Sequence, residues 1–120
     1  MKLLIVDDSN MIRQMIQASI SKFNFETFQA GNGKEAIEIF KTEKPEIVTL
    51  DITMPEMDGL AVLEELLKIN DKAQVIMITA VHDKVKSIEA MDKGAADFIN
   101  KPFDPEKLEK ALQRAIEQAS

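Results

Sequence analysis

Cysteine is absent from the 120 residues, and this excludes disulfide bonds and thiolate metal sites. The absence is compatible with a reducing compartment. A long hydrophobic run is also lacking, because the opening apolar residues 3–6 are followed at once by Asp7 and Asp8. Such a run is too short for a signal peptide or a membrane span. We therefore expect a soluble, cytoplasmic protein that does not act at a membrane.

Basic residues are in the minority: 15 lysines and arginines stand against 21 acidic residues, a net charge of -6. No basic stripe runs along the chain, whereas proteins bind nucleic-acid phosphates through clustered cations. Nucleic acid is therefore not expected as a direct partner. The acidic balance itself is common among soluble domains and indicates no particular function.

Linkers, internal repeats and low-complexity segments are lacking too, and 45% hydrophobic content is enough for one well-covered core. We expect residues 1–120 to form a single domain. Short apolar runs rich in β-branched residues predict strands at residues 3–6, 27–29, 47–50, 75–79 and 98–99. Several of these runs are apolar on both faces, which favours a parallel sheet covered by helices on both sides.

Amphipathic stretches lie between the predicted strands. Core-facing stripes at helical spacing comprise Ile12, Met15, Ile16, Ser19 and Ile20, and then Leu108, Ala111, Leu112, Ala115 and Ile116. Helix ends are indicated by a capping box of Asn32 with Glu35, by Asp104 before Pro105 and Glu106, and by Gly94. This alternation predicts an open α/β fold, in which ligands bind at the carboxyl ends of the strands.

Polar residues stand at the predicted carboxyl ends. Asp7 and Asp8 follow the first strand, Asp51 follows the third, Thr79 ends the fourth, and Lys101 lies just beyond the fifth. In a sheet ordered 2-1-3-4-5 the first and third strands are neighbours, so the three carboxylates converge. Alone, each residue is more often structural, and an Asp-Asp pair after a strand usually caps a helix. Their joint placement indicates a functional site.

Carboxylates a few ångströms apart repel each other, so this pocket requires a divalent cation or a lysine. Mg²⁺ fits best, because it prefers oxygen ligands and keeps waters that a phosphoryl oxygen can replace. Lys101 and the Thr79 hydroxyl can contact the same oxygen. A carboxylate among such groups is suited to accept a phosphoryl group. We favour Asp51, because it ends a predicted central strand, whereas adjacent acids on a turn are typical metal ligands.

Four motifs resemble the receiver domains of bacterial and archaeal response regulators. They are Leu4-Ile-Val-Asp7-Asp8-Ser9, Asp51-Ile-Thr-Met-Pro55-Glu-Met-Asp-Gly59, Ile78-Thr79-Ala80 and Asn100-Lys101-Pro102-Phe103. The similarity spans the whole chain. It implies a flavodoxin-like α/β fold: a single doubly wound, five-stranded parallel sheet of order 2-1-3-4-5, flanked by five helices. Chemotaxis receivers are a known example of this order.

The resemblance also implies the chemistry of the site. A histidine kinase donates the phosphoryl group of a phosphohistidine to Asp51. The ligands of Mg²⁺ are the side chains of Asp8 and Asp51 and the backbone carbonyl of Thr53, with Asp7 supporting the ion through water. Thr79 and Lys101 contact the phosphoryl oxygens.

The same family places a cis peptide bond at Lys101-Pro102, which could aim the lysine into the pocket. Phe98 occupies the family's aromatic switch position, where its ring fills the space that Thr79 leaves on phosphorylation. The competing interpretation of Phe98 is a core aromatic on a short strand. The output surface of the family corresponds to residues 82–93 and 98–120.

Two positions are tied to phosphoryl lifetime in the family, here Thr53 and Val81. Because valine cannot orient an attacking water, we expect slow loss of the phosphoryl group unless a phosphatase helps. His82, the single histidine, is expected at the surface or at a helix cap, without a role in phosphotransfer.

Three other interpretations fit the sequence less well. A Mg²⁺-dependent phosphohydrolase needs a second acid where Thr53 stands, together with a substrate cap. A flavodoxin-like nucleotide binder needs a Gly/Ser/Thr-rich phosphate loop, and Asp7 and Asp8 would repel the phosphate. A receiver that signals without phosphorylation usually lacks part of the acidic set, which is complete here.

Because the chain ends just after the last predicted helix, we expect it to act by binding another protein. It is not expected to be an enzyme, apart from catalysing its own phosphorylation and dephosphorylation. The motif that begins at Asp51 resembles stand-alone chemotaxis receivers, so delivery of a signal to a flagellar motor switch is the leading role. A phosphorelay intermediate that serves a histidine phosphotransferase, or a piece of a longer protein, is the alternative. We expect a monomer.

Overall fold

Strands and helices alternate along the chain in the computed structural model of the protein, which describes residues 1–80 and 84–119. The strands are β1 (Lys2–Val6), β2 (Glu26–Ala30), β3 (Ile47–Leu50), β4 (Gln74–Thr79) and β5 (Asp97–Asn100). The helices are α1 (Asn10–Ser19), α2 (Gly33–Glu43), α3 (Gly59–Ile69), α4 (Lys84–Asp92) and α5 (Pro105–Ala119). A short 3₁₀ turn, Ser21–Phe23, follows α1.

The five strands form one parallel sheet in the order β2-β1-β3-β4-β5. The predicted doubly wound α/β fold, its strand order and its five helices are therefore confirmed. Four strands extend beyond the predicted apolar runs, because polar end residues also pair along the ladder. Lys2, for example, pairs with Glu26, and Gln74 pairs with Ile47.

Helices cover both faces of the sheet. On one face, α2, α3 and α4 pack through residues that include Phe40, Leu63 and Ala90. On the other face, α1 and α5 pack through residues that include Ile16 and Leu112. Neighbouring residues of β1, β3 and β4 alternate between these two clusters, so the central strands are buried on both sides, as their apolar sequence predicts.

The predicted stripe of α5 is confirmed, since Leu108, Ala111, Leu112 and Ala115 are all buried. In α1 one member of the predicted stripe is wrong: the Met15 side chain is 49% exposed. Consecutive residues lie about 100° apart around a helix, which carries Met15 away from buried Ile16. A methionine at the margin of an apolar stripe fits the same spacing pattern, so the sequence could not place it.

Helix ends follow the predicted signals. The Asn32 side chain accepts a hydrogen bond from the Glu35 amide, but the Glu35 carboxylate accepts from Gly31 and so the box is shifted by one residue. The Asp104 side chain caps α5 through the Glu106 amide. Beyond α4, Gly94 has a φ of 107°, as a glycine after a helix C-terminus requires.

No helix in the described ranges has the length and apolarity needed to cross a membrane.

Candidate functional site

Two buried aspartates lie side by side at the carboxyl ends of β1 and β3. The Asp7 amide donates to the Ala30 carbonyl and the Asp51 amide donates to the Val6 carbonyl, both at 3.1 Å. These bonds continue the sheet ladder by one residue and hold both residues in its register. Only 1% of Asp7 and 5% of Asp51 are exposed. The sheet therefore holds two carboxylates side by side and largely shielded from solvent.

Asp8 completes an acidic cluster, and it is exposed to solvent. One carboxylate oxygen from each of Asp7, Asp8 and Asp51 lies within 4.8 Å of the other two. An all-oxygen donor set of this kind fits Mg²⁺, which takes one or two carboxylates and keeps several waters. The structure thus brings together the three predicted acids, and the predicted division of ligand roles among them stays a prediction.

Lys101 reaches this cluster from the end of β5. Its Nζ lies 2.6 Å from Asp7 Oδ2 and 3.3 Å from Asp51 Oδ2. The Lys101 amide donates to the Thr79 carbonyl at 2.8 Å, and the Lys101–Pro102 peptide bond is cis, as the resemblance implied. The lysine therefore offsets part of the mutual repulsion between the two buried carboxylates.

Burial raises the pKa of the Asp51 carboxyl above its ordinary value, and the negative charge of Asp7 acts in the same direction. The Lys101 charge and hydrogen bond lower this pKa, as does a hydrogen bond from the Thr79 hydroxyl, but burial outweighs them. Ionisation of the Asp51 carboxyl is consequently less favourable than ionisation of an ordinary aspartate side chain. A bound cation would relieve that penalty.

Thr79 is fully buried at the end of β4. Along β4, Thr79 lies two residues after Met77, which is paired with Phe98 on β5. Because side chains alternate along a strand, Thr79 and Phe98 share one face of the sheet as diagonal neighbours. Phe98 is half-buried and packs against the cluster formed with α2, α3 and α4. The geometry suits the predicted switch pair, whose motion stays a prediction.

Thr53 is exposed beside the pocket, and its amide donates to Asp51 Oδ1 at 3.3 Å. The predicted use of the Thr53 carbonyl as a metal ligand is not tested by any contact in the structure. Val81 and His82, together with the start of the predicted output surface and Ser120 at its end, lie outside the described residues.

The loop from Asp51 to α3 closes tightly on itself. The Gly59 amide donates to the Ile52 carbonyl at 2.7 Å. A Cβ on Gly59 would stand 2.0 Å from the Asp51 carbonyl oxygen, so no larger residue fits without moving the backbone. The need for glycine at position 59 becomes evident only in the structure, where the backbone at Gly59 lies against that of Asp51 and Ile52.

Sequence reasoning missed Ser9 and Arg13. The Ser9 amide donates to Asp7 Oδ1 at 2.9 Å, and the Ser9 hydroxyl caps α1 through the Ile12 amide. A serine just before an apolar helical stripe is a typical N-cap and could have been predicted. Arg13 donates to the Asp7 backbone carbonyl. No sequence signal predicts that contact, because every residue offers a carbonyl.

Fold and side chains together define a class: a flavodoxin-like α/β protein whose strand ends carry an acidic pocket with a lysine and a hydroxyl, in place of a nucleotide-binding loop. Within this class, the model of the response regulator receiver domain matches residues 3–113. The chain belongs to this family, whose members serve in two-component signalling.

Similar proteins extend over nearly the full chain. The chemotaxis protein CheY of Thermotoga maritima is 44% identical over 114 residues, which cover 94% of this chain and 95% of the relative. CheY of Bacillus subtilis is 40% identical, with coverage of 96% and 97%. In the solved CheX-CheY-BeF₃-Mg²⁺ complex from Borrelia burgdorferi, a similar chain has a TM-score of 0.91 and 34% identity, with coverage of 96% of this chain and 88% of that one.

CheY-like regulators are signalling proteins and not conventional enzymes.

Proposed function

We propose that residues 1–120 act as one receiver domain, a signalling switch in which Asp51 accepts a phosphoryl group from the phosphohistidine of a histidine kinase. The observation that carries this proposal is the convergence of Asp7, Asp8 and Asp51 with Lys101 and Thr79 at one edge of the sheet. Such a set supplies a nucleophile together with countercharge for phosphoryl oxygens.

In the transfer step an oxygen of Asp51 attacks phosphorus while the bond from phosphorus to the histidine nitrogen breaks. The electron pair of that bond stays on the imidazole, which takes up a proton. Asp51 Oδ2 already faces Lys101 Nζ, and Oδ1 accepts from the Thr53 amide, so the carboxylate is oriented before the donor arrives. Lys101 would then contact a phosphoryl oxygen.

The proposed Mg²⁺ ligands are the Asp8 and Asp51 carboxylates and the Thr53 carbonyl, with Asp7 acting through water. When bound, the ion would supply positive charge to the phosphoryl oxygens. The backbone amides of Asp7 and Asp51 continue the sheet ladder and so hold their own carboxylates side by side. Lys101 reduces the repulsion between these two carboxylates.

Activation follows from the hydroxyl of Thr79. Its hydrogen bond to the Asp51 carboxylate is replaced by one to a phosphoryl oxygen, which draws the side chain toward the site. Phe98, the diagonal neighbour of Thr79, fills the space that opens. The surface of α4, β5 and α5 then changes, and a partner protein reads that change.

Loss of the phosphoryl group needs a water molecule in line with the phosphorus–oxygen bond. The two positions that the family resemblance ties to phosphoryl lifetime are occupied here by Thr53 and Val81. Neither a carboxylate nor an amide side chain is present at these two positions, so spontaneous hydrolysis is expected to be slow and a phosphatase partner is expected to set the lifetime.

Chemotaxis is the pathway that the relatives support best, because CheY proteins match this chain over 95% to 98% of their own lengths. We propose a monomer that delivers the signal to a flagellar motor switch. The alternative is a phosphorelay intermediate. Transfer of the phosphoryl group from this chain to a histidine phosphotransferase would favour that role over the motor switch.

Intact-mass analysis tests the chemistry. The chain is incubated with a small phosphodonor and Mg²⁺, and Asp51→Asn serves as the matched variant. One added phosphoryl group in the parent, absent from the variant, is the expected result. No adduct in the parent, or an undiminished adduct in the variant, contradicts the proposal. Pull-down with and without beryllofluoride then separates motor-switch from phosphotransferase partners.

A further inference from the structure

Arg13 joins three parts of the chain around the acidic pocket. From α1, its Nη1 donates to the Asp7 carbonyl oxygen at 2.5 Å. Nε donates to Gln29 Oε1 on the edge strand β2, and Nη2 donates to Asn10 Oδ1 in the first turn of α1, both at 3.2 Å. The guanidinium therefore ties β1, β2 and α1 together at the start of the turn that carries the exposed acid.

The acceptor on Asp7 matters because its carbonyl belongs to the peptide bond that joins Asp7 to Asp8. A peptide unit is planar, so a fixed oxygen also fixes the direction in which the next Cα leaves. The Asp7 amide and carboxylate are bound elsewhere, to Ala30, Ser9 and Lys101. Among the described residues, Arg13 is the side chain that donates a hydrogen bond to the oxygen of this peptide.

Asp8 needs such support from its neighbours. Its carboxylate is exposed and makes no hydrogen bond or ion pair with residues that the structure describes. One Asp8 carboxylate oxygen nevertheless lies within 4.8 Å of carboxylate oxygens of Asp7 and Asp51. No described contact of the Asp8 side chain accounts for this position, so the backbone must direct it.

We infer that Arg13 is a positioning residue for the proposed Mg²⁺ site: it orients the Asp7–Asp8 peptide so that the Asp8 carboxylate faces the cation. This inference rests on the proposed function. It concerns geometry and not charge. A positive guanidinium near a cation site repels the cation, so a purely electrostatic role would make removal of Arg13 tighten Mg²⁺ binding.

Lysine is not equivalent to arginine here. Three acceptors lie around one planar guanidinium, which presents its donors in a fixed fork. The ammonium group of lysine is a compact charge on a flexible stem, and its three donors cannot span acceptors spread around a planar fork. Arg13→Lys keeps the charge and loses the fork. Arg13→Met removes the charge and keeps the apolar stem.

Isothermal titration calorimetry of the full chain with Mg²⁺ tests the inference. Arg13→Met and Arg13→Lys are both expected to raise the dissociation constant about tenfold, the usual effect of losing a group that orients a metal ligand. Arg114→Met is the matched control, since Arg114 pairs with Asp97 on the side of β5 and α5. The control is expected to bind as the parent does, and thermal unfolding confirms that each variant is folded.

Tighter or unchanged binding by Arg13→Met would overturn the inference. Parental affinity in Arg13→Lys would overturn it too, because it would show that the planar fork of the guanidinium is not needed. If Arg13→Met does not fold, Gln29→Met decides. It keeps the arginine and removes one acceptor, so a smaller loss of affinity supports the inference and parental affinity contradicts it. If the parent itself does not bind Mg²⁺, the proposed function is overturned together with the inference. If the parent binds Mg²⁺ and Arg13→Met binds it equally well, only the inference is overturned.

Discussion

The Nζ atom of Lys101 lies 3.3 Å from Oδ2 of Asp51, so a cation from the end of β5 reaches the carboxylate at the end of β3. These two residues are 50 positions apart in sequence and meet only because the five strands are parallel and end at one edge. The strand order therefore places a positive charge beside the Asp51 carboxylate.

Lys101→Met is expected to slow phosphorylation by a small phosphodonor about 100-fold at saturating Mg²⁺, since one preorganised donor to the transferring group is lost. The initial rate of adduct formation measures this effect. Lys107→Met, on the exposed face of α5, is the matched control and is expected to keep the parental rate. A rate for Lys101→Met within twofold of the parent would show that the lysine does not act on the phosphoryl group.

Asp51→Asn is expected to stabilise the chain at pH 7 in the presence of EDTA. Folding raises the pKa of Asp51 above its ordinary 3.8, so the folded state binds a proton there more readily than the unfolded chain. The stability linked to that proton is fully present below pH 3.8 and is lost as the pH rises through the raised value. At pH 7 the parent therefore carries the penalty of a buried charge that asparagine avoids.

Urea unfolding from pH 7 toward pH 4 measures this difference, which should narrow as the pH falls. Adding Mg²⁺ should stabilise the parent and leave the variant nearly unchanged, by linkage to binding. Asp71→Asn, an exposed change on the loop before β4, is the control. An Asp51→Asn chain less stable than the parent at pH 7 in EDTA would contradict the electrostatic account.

Gly59→Ala is expected to lower the free energy of unfolding by about 2–3 kcal/mol, because its Cβ would meet the Asp51 carbonyl oxygen and force the backbone to move. Denaturant midpoints give the value. Gly31→Ala is the matched control: its Cβ would lie 3.4 Å from Arg13 Nη1, at ordinary van der Waals distance, and the loss should be much smaller. Equal losses at both positions would remove the argument for a close approach.

Lys44→Gly is expected to raise stability by about 1 kcal/mol, since Lys44 follows α2 with a φ of 52°, a left-handed conformation that glycine adopts without steric cost. Lys41→Gly, within the last turn of α2, should instead lower stability by about 1 kcal/mol through lost helix propensity. Thermal unfolding compares the two. The same sign for both changes would refute the assignment of Lys44 to the helix cap.

Much of the fold could be predicted because burial and apolar sequence coincide in the central strands. The strand ends could not, since residues such as Gln74 and Asp97 pair through backbone groups whatever their side chains. The order of the strands came from the resemblance, as no local pattern encodes which strand pairs with which.

The acidic cluster was predictable because parallel strands collect their carboxyl ends at one edge, and Asp7, Asp8 and Asp51 carry recognisable side chains. The supports of the cluster were not. Arg13 acts on a backbone carbonyl, and Gly59 acts by the atoms that it lacks. Such contacts depend on tertiary geometry and leave no periodic signal in the sequence.

The most direct test of the central claim is chemical mapping of the phosphorylated residue. Borohydride reduces an aspartyl phosphate to homoserine, and tandem mass spectrometry then locates the converted position after treatment of the chain with a phosphodonor and Mg²⁺. The account predicts homoserine at position 51 and nowhere else. Homoserine at Asp7 or Asp8, or a phosphoryl group that survives reduction on another residue, would contradict it.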